Sequence, residues 1–403
     1  MKLADILNKH LDLFGAGNGS YLRSVHHRAA HAVRACRSGE LGAHLYECAD
    51  CGTHLIQPNS CQNRTCPQCG KLKQQQWSEK QEAKLLNADH VLITFPLPAA
   101  LRNFCYSNQE WFYSMMFDSV RDTIRFLDLP KMKMFPLHFE NPHSLGFFSV
   151  LQTWTRELIC HPHIHVVMPL VALTAEGEIY QPEAGRSFPN RALAARFKTL
   201  LRGKLLNLAK SWRIKDFDEG MDRQLEELSE KVSDNRWEVD VQPIGNGVPA
   251  VRYLARFVHH TAIDDQSIQG QEPDGRIRIR VKGRLSGGDG LLMLQPFEFL
   301  RRWCMHILPR GLKRVRHYGF LSPKSCDKFQ CVRELLGMPK SAPEAPIAKS
   351  APLCESCKRP MILSGIYTRG GKLCPINVSL SNPESIRSGA SLFAGRMLIP
   401  SSA

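Results

Sequence analysis

Apolar and polar positions along the chain fall into short stretches of contrasting period. His90-Val-Leu-Ile-Thr-Phe95 is an apolar run stopped by Pro96 and Pro98, which predicts a strand. Gly146 to Trp154 and Ile164 to Leu173 are rich in β-branched and aromatic residues and predict two neighbouring strands. Trp237-Glu-Val-Asp-Val241 alternates apolar with acidic residues, the pattern of a half-buried strand. Arg276-Ile-Arg-Ile-Arg-Val-Lys282 alternates strictly and predicts another. Residues 99–128, 190–212, 218–232 and 295–307 carry helical spacing, and a further helix is expected to start near Pro249. The polar stretch Lys71 to Glu82 reads as a helix. The mixture predicts an α+β protein.

Composition changes this picture at the two ends. Residues 1–85 are rich in Cys and His, and Gly337 to Pro352 is rich in Pro, Ala, Ser and Lys, which is linker chemistry. Three regions are therefore expected: a small N-terminal metal-binding domain over 1–85, a mixed domain over 86–335, and a linker with a small Cys-bearing tail over 336–403. The full chain has 403 residues, and 43% are apolar, which excludes wholesale disorder. No apolar run reaches the roughly 18 residues of a membrane span, and MKLADILNKH lacks the apolar block of a signal peptide. No membrane partner and a cytoplasmic location are expected. The formal charge of +15 and a pI near 9.3 point to a polyanion, nucleic acid first.

In that compartment cysteines are metal ligands more often than disulfides. Six of the 14 lie between Cys36 and Cys69. Cys48-Ala-Asp-Cys51 and Cys66-Pro-Gln-Cys69 are two knuckles with 14 residues between them, spaced to close a tetrahedron around a structural zinc. Cys36, Cys61, His44 and His54 are extra candidates, which either build a second site or replace one of the four. Arg34, Arg37, Arg64, Lys71 and Lys73 give this knob positive charge. Cys354-Glu-Ser-Cys357 with Cys374 offers three further thiols and no obvious fourth ligand.

His161-Pro-His163-Ile-His165 opens a β-rich run. Residues two apart on a strand share a face, so His163 and His165 project together and can grip one divalent ion with open coordination positions. Gln152 and His260 are candidates for a third ligand. The helix starting near Pro249 divides into three stripes: Val251, Leu254, Ala255, Val258 and Ala262 are apolar, Arg252, Arg256 and His259 are cationic, and Tyr253, Phe257 and His260 form a third face. That helix holds Tyr253 either as a nucleophile over a metal or as an aromatic packed at the edge of a core.

Cationic residues concentrate further along. Arg276, Arg278, Arg280 and Lys282 share one strand face, and Arg301 to Lys324 includes Arg301, Arg302, Arg314 and Arg316 with no Asp or Glu. Trp303, His317, Tyr318 and Phe320 are interleaved, a combination that suits single-stranded nucleic acid through base stacking and phosphate neutralisation. A solvated basic face is the alternative.

Several of these elements together resemble one family. They are Cys36…Leu41-Gly-x-His44…Cys48-x-x-Cys51…Asn59-Ser-Cys-x-Asn-Arg-x-Cys66-Pro-x-Cys69, Leu151-x-Thr-Trp154…His161-Pro-His-Ile-His165, Tyr253-Leu-Ala-Arg256, and Phe299-Leu-Arg-Arg302…Leu308-Pro-x-Gly311…Arg316-His-Tyr-Gly319. The chain resembles the rolling-circle insertion-sequence transposases with an N-terminal zinc-binding domain, within the wider HUH class of single-strand nucleases. The likeness covers about residues 20–325. It implies an antiparallel HUH sheet with flanking helices, Mg or Mn at His163 and His165, and Tyr253 as the catalytic residue. It also implies single-stranded DNA at insertion-sequence ends and target as substrate, structural zinc in the N-terminal domain, and a nucleoid-associated location. Members with two tyrosines carry the second one helical turn on, where this chain has Phe257. The chain thus resembles the single-tyrosine, ISCR-type variants. A replication initiator or relaxase built on the same core, a non-catalytic DNA-binding protein and a histidine-triad nucleotide hydrolase are the competing expectations.

Overall fold

A computed structural model describes residues 1–17, 22–128, 145–174, 176–182, 188–210, 227, 237–259, 262–282, 289–339 and 351–376. The helix expected over 218–232, His260, and residues 340–350 and 377–403 of the expected linker and tail lie outside the described residues, save Glu227 alone.

The chain opens with helices α1 (Leu3–Gly17) and α2 (Ser24–Ala35), the hairpin β1 (Ala43–Glu47) and β2 (His54–Pro58), and helix α3 (Gly70–Glu82). Then come strand β3 (His90–Pro96), helices α4 (Ala99–Ser107) and α5 (Gln109–Ile124), and strands β4 (Phe147–Trp154) and β5 (Cys160–Pro169). A small pair, β6 (Ala172–Leu173) and β7 (Ile179–Tyr180), leads to α6 (Asn190–Lys210), β8 (Asp240–Gly245) and α7 (Val248–His259). The remainder is β9 (Ile268–Gln271), β10 (Ile277–Lys282), β11 (Asp289–Leu294), α8 (Pro296–Met305), β12 (Val315–Tyr318), α9 (Cys326–Leu335), β13 (Ile362–Tyr367) and β14 (Leu373–Pro375). The fold is α+β with antiparallel sheets. No helix among the described residues is long and apolar enough to cross a membrane.

A five-stranded sheet in the order β12-β4-β5-β3-β8 forms the centre, and every neighbouring pair is antiparallel. Both faces of β4 and β5 are apolar because both faces are covered. Ile93, Phe95, Leu151, Ile164, Val166 and Met168 point to one side, where Phe112 and Phe117 of α5 and Phe197 of α6 pack on them. Leu92, Phe148, Val150 and Val167 point to the other side and receive Val251, Leu254 and Val258 of α7. Burial of each such side chain contributes about 1.5–3 kcal/mol. That second contact fixes the amphipathic α7 across the sheet, on the face where His163 and His165 emerge.

The sheet edge depends on one glycine. Gly319 follows β12 with φ +57°, and a Cβ there would stand 1.5 Å from the carbonyl oxygen of Leu145. Backbone cannot yield as a side-chain tip can, so Gly319→Ala is expected to destabilise the protein by about 3 kcal/mol or more. A denaturation midpoint unchanged from wild type would contradict this account.

A second core crosses the boundary expected at residue 85. Ile277 and Ile279 of the three-stranded sheet β11-β10-β9 pack with Leu3, Leu7 and Leu11 of α1, Ala29 and Val33 of α2, and Phe299, Leu300 and Trp303 of α8. A third sheet, β14-β13-β1-β2, crosses the boundary expected at 336, because the tail strand β13 pairs antiparallel with β1 of the N-terminal hairpin.

Where the first two cores meet, His306 is 3% exposed, and its Nε2 donates to the Leu158 carbonyl at 3.0 Å. Burial pushes its imidazole down to about 4. An unfolded histidine titrates near 6.5, so between those two values the unfolded chain binds more protons than the folded one. The contribution of His306 is present above about 6.5 and is lost as pH falls towards 4. The loss from pH 7 to pH 5 is about 2 kcal/mol. His306→Gln is expected to flatten that part of the pH–stability curve; equal slopes in both proteins would refute the assignment.

Candidate active site and cysteine clusters

The antiparallel register of β5 creates the centre of the site. His163 lies opposite Gln152 on β4 and Pro96 on β3, and His165 lies opposite Val150 and Thr94. The rings of His163 and His165 are 4.7 Å apart between centroids, and both side chains are buried. Each ring is oriented by a neighbour. His163 Nδ1 donates to the carbonyl of His161 at 2.7 Å, leaving Nε2 for another partner. His165 Nδ1 meets Thr94 Oγ1 at 3.1 Å. Gln152 Nε2 donates to the Trp154 carbonyl at 3.0 Å, which turns Oε1 towards His165 Nε2 at 3.1 Å. Burial pushes both imidazoles down, His163 to about 4 and His165 to about 3. Both are thus neutral at physiological pH, the form that binds metal.

Helix α7 covers these groups from one side. The Tyr253 ring lies 6.2 Å from that of His165, and Phe257 lies nearly parallel to the His165 ring at 6.3 Å. Tyr253 is 44% exposed, so its ring spans the gap between the buried histidines and solvent. Burial raises its phenol above the ordinary range, and the nearby Arg156 and Arg256 oppose that shift by favouring the phenolate. His161, whose place on the shared face depended on Pro162, lies in β5 with its ring 5.3 Å from that of His163.

The cysteine spacing paired the knuckles wrongly. Cys48 and Cys51 do not join Cys66 and Cys69. Cys36, Cys61, Cys66 and Cys69 form one cluster, and Cys48 and Cys51 meet Cys354 and Cys357 in another, the ligand atoms within each lying inside 4.8 Å of one another. In the first, Cys69 Sγ stands 3.5 Å from Cys36 Sγ and 3.7 Å from Cys61 Sγ. Arg37 and Gln62, directly after Cys36 and Cys61, take left-handed backbone at φ 58° and 52°, turning the chain back towards the sulfurs. Asn63 caps the turn into Cys66 through its Oδ1, which accepts from Thr65 N at 2.9 Å. Hydrogen bonds among these thiols hold Cys36 and Cys69 low, and Cys61 and Cys66 high. Four thiols in contact cannot all ionise without a cation to neutralise them. His44, His54 and Cys374 stand outside both clusters.

The basic surface is also revised. Arg314 is 6% exposed and donates through Nη1 to the carbonyls of Phe257 and Val258 at 3.2 and 3.4 Å. It caps the C-terminal end of α7, a favourable place for a cation, and does not face solvent. Trp303 and Phe320 are buried at 2% and 0% and serve as core, not as stacking platforms. Carboxylates pair with several of the arginines: Arg252 with Glu82, Arg276 with Asp274, Arg278 with Glu272, and both Arg301 and Arg302 with Glu298. Arg316 donates to Ser114 and lies over the Phe117 ring. Arg256 and Arg280 are exposed, and the Lys282 side chain lies outside the described residues. In the knob, Arg64 donates to the Leu312 carbonyl at 2.7 Å and ties the knob to the central domain.

Residues 146–328 match the family described as a putative transposase, and residues 6–97 match the transposase zinc-binding domain. "Putative transposase y4qJ" of Sinorhizobium fredii is 31% identical over 356 residues, covering 85% of this chain and 86% of that protein. The chain belongs to the insertion-sequence transposases of the IS91/IS801 type. A second relative of this transposase, "Transposase for insertion sequence element IS801" of Pseudomonas savastanoi pv. phaseolicola, is 24% identical over 353 residues, covering 82% of this chain and 80% of the relative. No solved structure matches the chain significantly. The matched zinc-binding domain and the thiol clusters of the transposase support structural zinc. Thr94 and Arg156 were not anticipated, and no local pattern marks either: Thr94 enters through strand register, Arg156 through its proximity to Tyr253.

Proposed function

We propose that this transposase nicks single-stranded DNA at insertion-sequence ends and transfers the strand through a 5′-phosphotyrosine at Tyr253. The oxygen of Tyr253 attacks the scissile phosphorus, a tyrosine–phosphate bond forms and the bond to the 3′ oxygen breaks, leaving a 3′-hydroxyl after protonation. A 3′-hydroxyl of the recipient strand then attacks the phosphotyrosine, releasing Tyr253 and resealing DNA. Phe257 has no hydroxyl, so one tyrosine serves the whole cycle.

The observation that carries this reading is the half-exposed Tyr253 ring set 6.2 Å from His165 on the face where His163 and His165 converge. His163, His165 and Gln152 would hold a divalent cation. The donor set fits: two neutral imidazoles and a carboxamide oxygen, with His165 Nε2 and Gln152 Oε1 3.1 Å apart. Adjacent ligands at about 2.1 Å from an octahedral Mg lie about 3.0 Å apart. When bound there, such an ion would polarise a phosphate oxygen. Arg156 and Arg256 favour the Tyr253 phenolate and can neutralise phosphates beside it. DNA in the cytoplasm, at the nucleoid, is the expected setting.

The test is incubation with Mn or Mg and single-stranded terminal DNA, followed by denaturation and peptide mapping. A nucleotide joined by its 5′-phosphate to the Tyr253 peptide is the expected product. Cleaved DNA with no adduct, or with the adduct on another residue, would overturn the proposal.

A further inference from the structure

We propose that Cys48, Cys51, Cys354 and Cys357 form a second zinc site that clasps residues 351–376 onto the N-terminal hairpin. Residues 354 and 357 lie far outside the 6–97 match to the zinc-binding domain, so this site needs a segment beyond that domain. The inference is independent of the nicking reaction.

Sulfur geometry is the first argument. Cys48 Sγ stands 3.4 Å from Cys357 Sγ, and Cys51 Sγ stands 3.5 Å from Cys354 Sγ and 3.9 Å from Cys357 Sγ. Four sulfurs at about 2.3 Å from a tetrahedral zinc lie about 3.8 Å apart. All four cysteines are free thiols.

Backbone geometry is the second, and it is repeated in the two halves. After Cys48-Ala-Asp-Cys51, Gly52 takes φ 68° and donates to the Cys48 carbonyl at 2.9 Å. After Cys354-Glu-Ser-Cys357, Lys358 takes φ 62° and donates to the Cys354 carbonyl, also at 2.9 Å. Cys48 N donates to Thr53 at 3.0 Å, and Cys354 N donates to Arg359 at 2.8 Å. A non-glycine residue rarely adopts the left-handed region without a reason. Here Lys358 adopts it in a turn with the same hydrogen-bond pattern as the one made by Gly52, and each turn aims two sulfurs at the other knuckle.

The surroundings make this a built site. Cys48 and Cys354 are buried at 1% and 0% beside Met361, with Tyr46 and Leu55 packed against them. Arg359 bridges the knuckles by donating to Asp50 at 2.9 Å. Strands β1 and β13 run side by side from Ala43↔Tyr367 to Glu47↔Ile362, ending at the two knuckles. An all-thiolate tetrahedral set selects zinc or iron, and nothing here leaves the open position of a catalytic metal. We assign zinc in a structural role. The ion then fastens residues 351–376 to the N-terminal knob through ligands 303 to 309 residues apart in sequence.

Elemental analysis and native mass spectrometry of the full chain, purified without chelator, test this. Two zinc ions per chain are expected, falling to one in the Cys354→Ser/Cys357→Ser double variant. In wild-type protein under graded chelation with a thiol-alkylating probe, Cys48, Cys51, Cys354 and Cys357 should lose protection together. Amide exchange in 43–47 and 362–367 should accelerate at least tenfold in the same step. One zinc in wild type, two retained in the double variant, iron in place of zinc, or a disulfide among these cysteines would overturn the proposal. So would Cys354 and Cys357 becoming reactive while Cys48 and Cys51 stay protected. Should the double variant fail to fold, the wild-type alkylation pattern decides.

Discussion

Tyr253→Phe is expected to abolish the covalent protein–DNA adduct and lower strand cleavage by about 10⁴-fold or more, while leaving single-stranded DNA binding within a few-fold of wild type. The expectation rests on the single atom that the substitution removes. Tyr253 is 44% exposed, and its ring touches Phe257 at 4.9 Å between centroids. Phenylalanine keeps that ring contact and loses only the oxygen. Packing of α7 rests on Val251, Leu254 and Val258, so the change should leave stability almost untouched. Burial works against ionisation of this phenol, and Arg156 and Arg256 work for it. Arg256→Ala should therefore slow adduct formation without eliminating it. Adduct yield on a denaturing gel, read beside a binding isotherm, separates the roles. A Tyr253→Phe protein that still forms a full yield of adduct would place the nucleophile elsewhere.

Whether a feature of this fold is legible in the sequence depends on whether its signal is local. The strands at 90–96, 147–154 and 160–169 can be read because apolar runs between turn residues are local features, and the shared face of His163 and His165 follows from the period of a strand. Helix α1 is equally local, with Leu3, Ile6, Leu7, Leu11 and Phe14 buried at helical spacing. Trp303 lies with Phe299 and Leu300 on a buried helical stripe, and that period outweighs the cations around it. Pairing is not local. Each Cys-x-x-Cys is visible alone, yet which two share an ion is decided by β1 pairing with β13. Glu82 neutralises Arg252 from 170 residues away, so a count of charges in a window overstates the free positive surface. Arg314 looks like part of that surface because nothing in its neighbours announces that the end of α7 arrives above it.

His165→Ala should weaken Mn binding by about 10²-fold or more and reduce metal-dependent nicking in parallel. His165 is held from both sides, Nδ1 by Thr94 Oγ1 at 3.1 Å and Nε2 facing Gln152 Oε1 at 3.1 Å. Removing its ring takes away one proposed ligand and the partner that fixes Gln152. It also removes the surface on which Phe257 stacks at 6.3 Å, so loss of stability must be separated from loss of metal. Thr94→Val provides the separation. It keeps the ring and its packing, leaves Nδ1 without its oriented hydroxyl, and should cost about 10-fold to 100-fold in metal affinity. Titration with Mn followed by electron paramagnetic resonance reports the bound ion directly, without reliance on cleavage. The ordering expected is wild type tightest, Thr94→Val intermediate and His165→Ala weakest, with nicking rates in the same order. If His165→Ala bound Mn as wild type does, the two-imidazole grip would be wrong, and the paired histidines of β5 would have to serve something other than an ion.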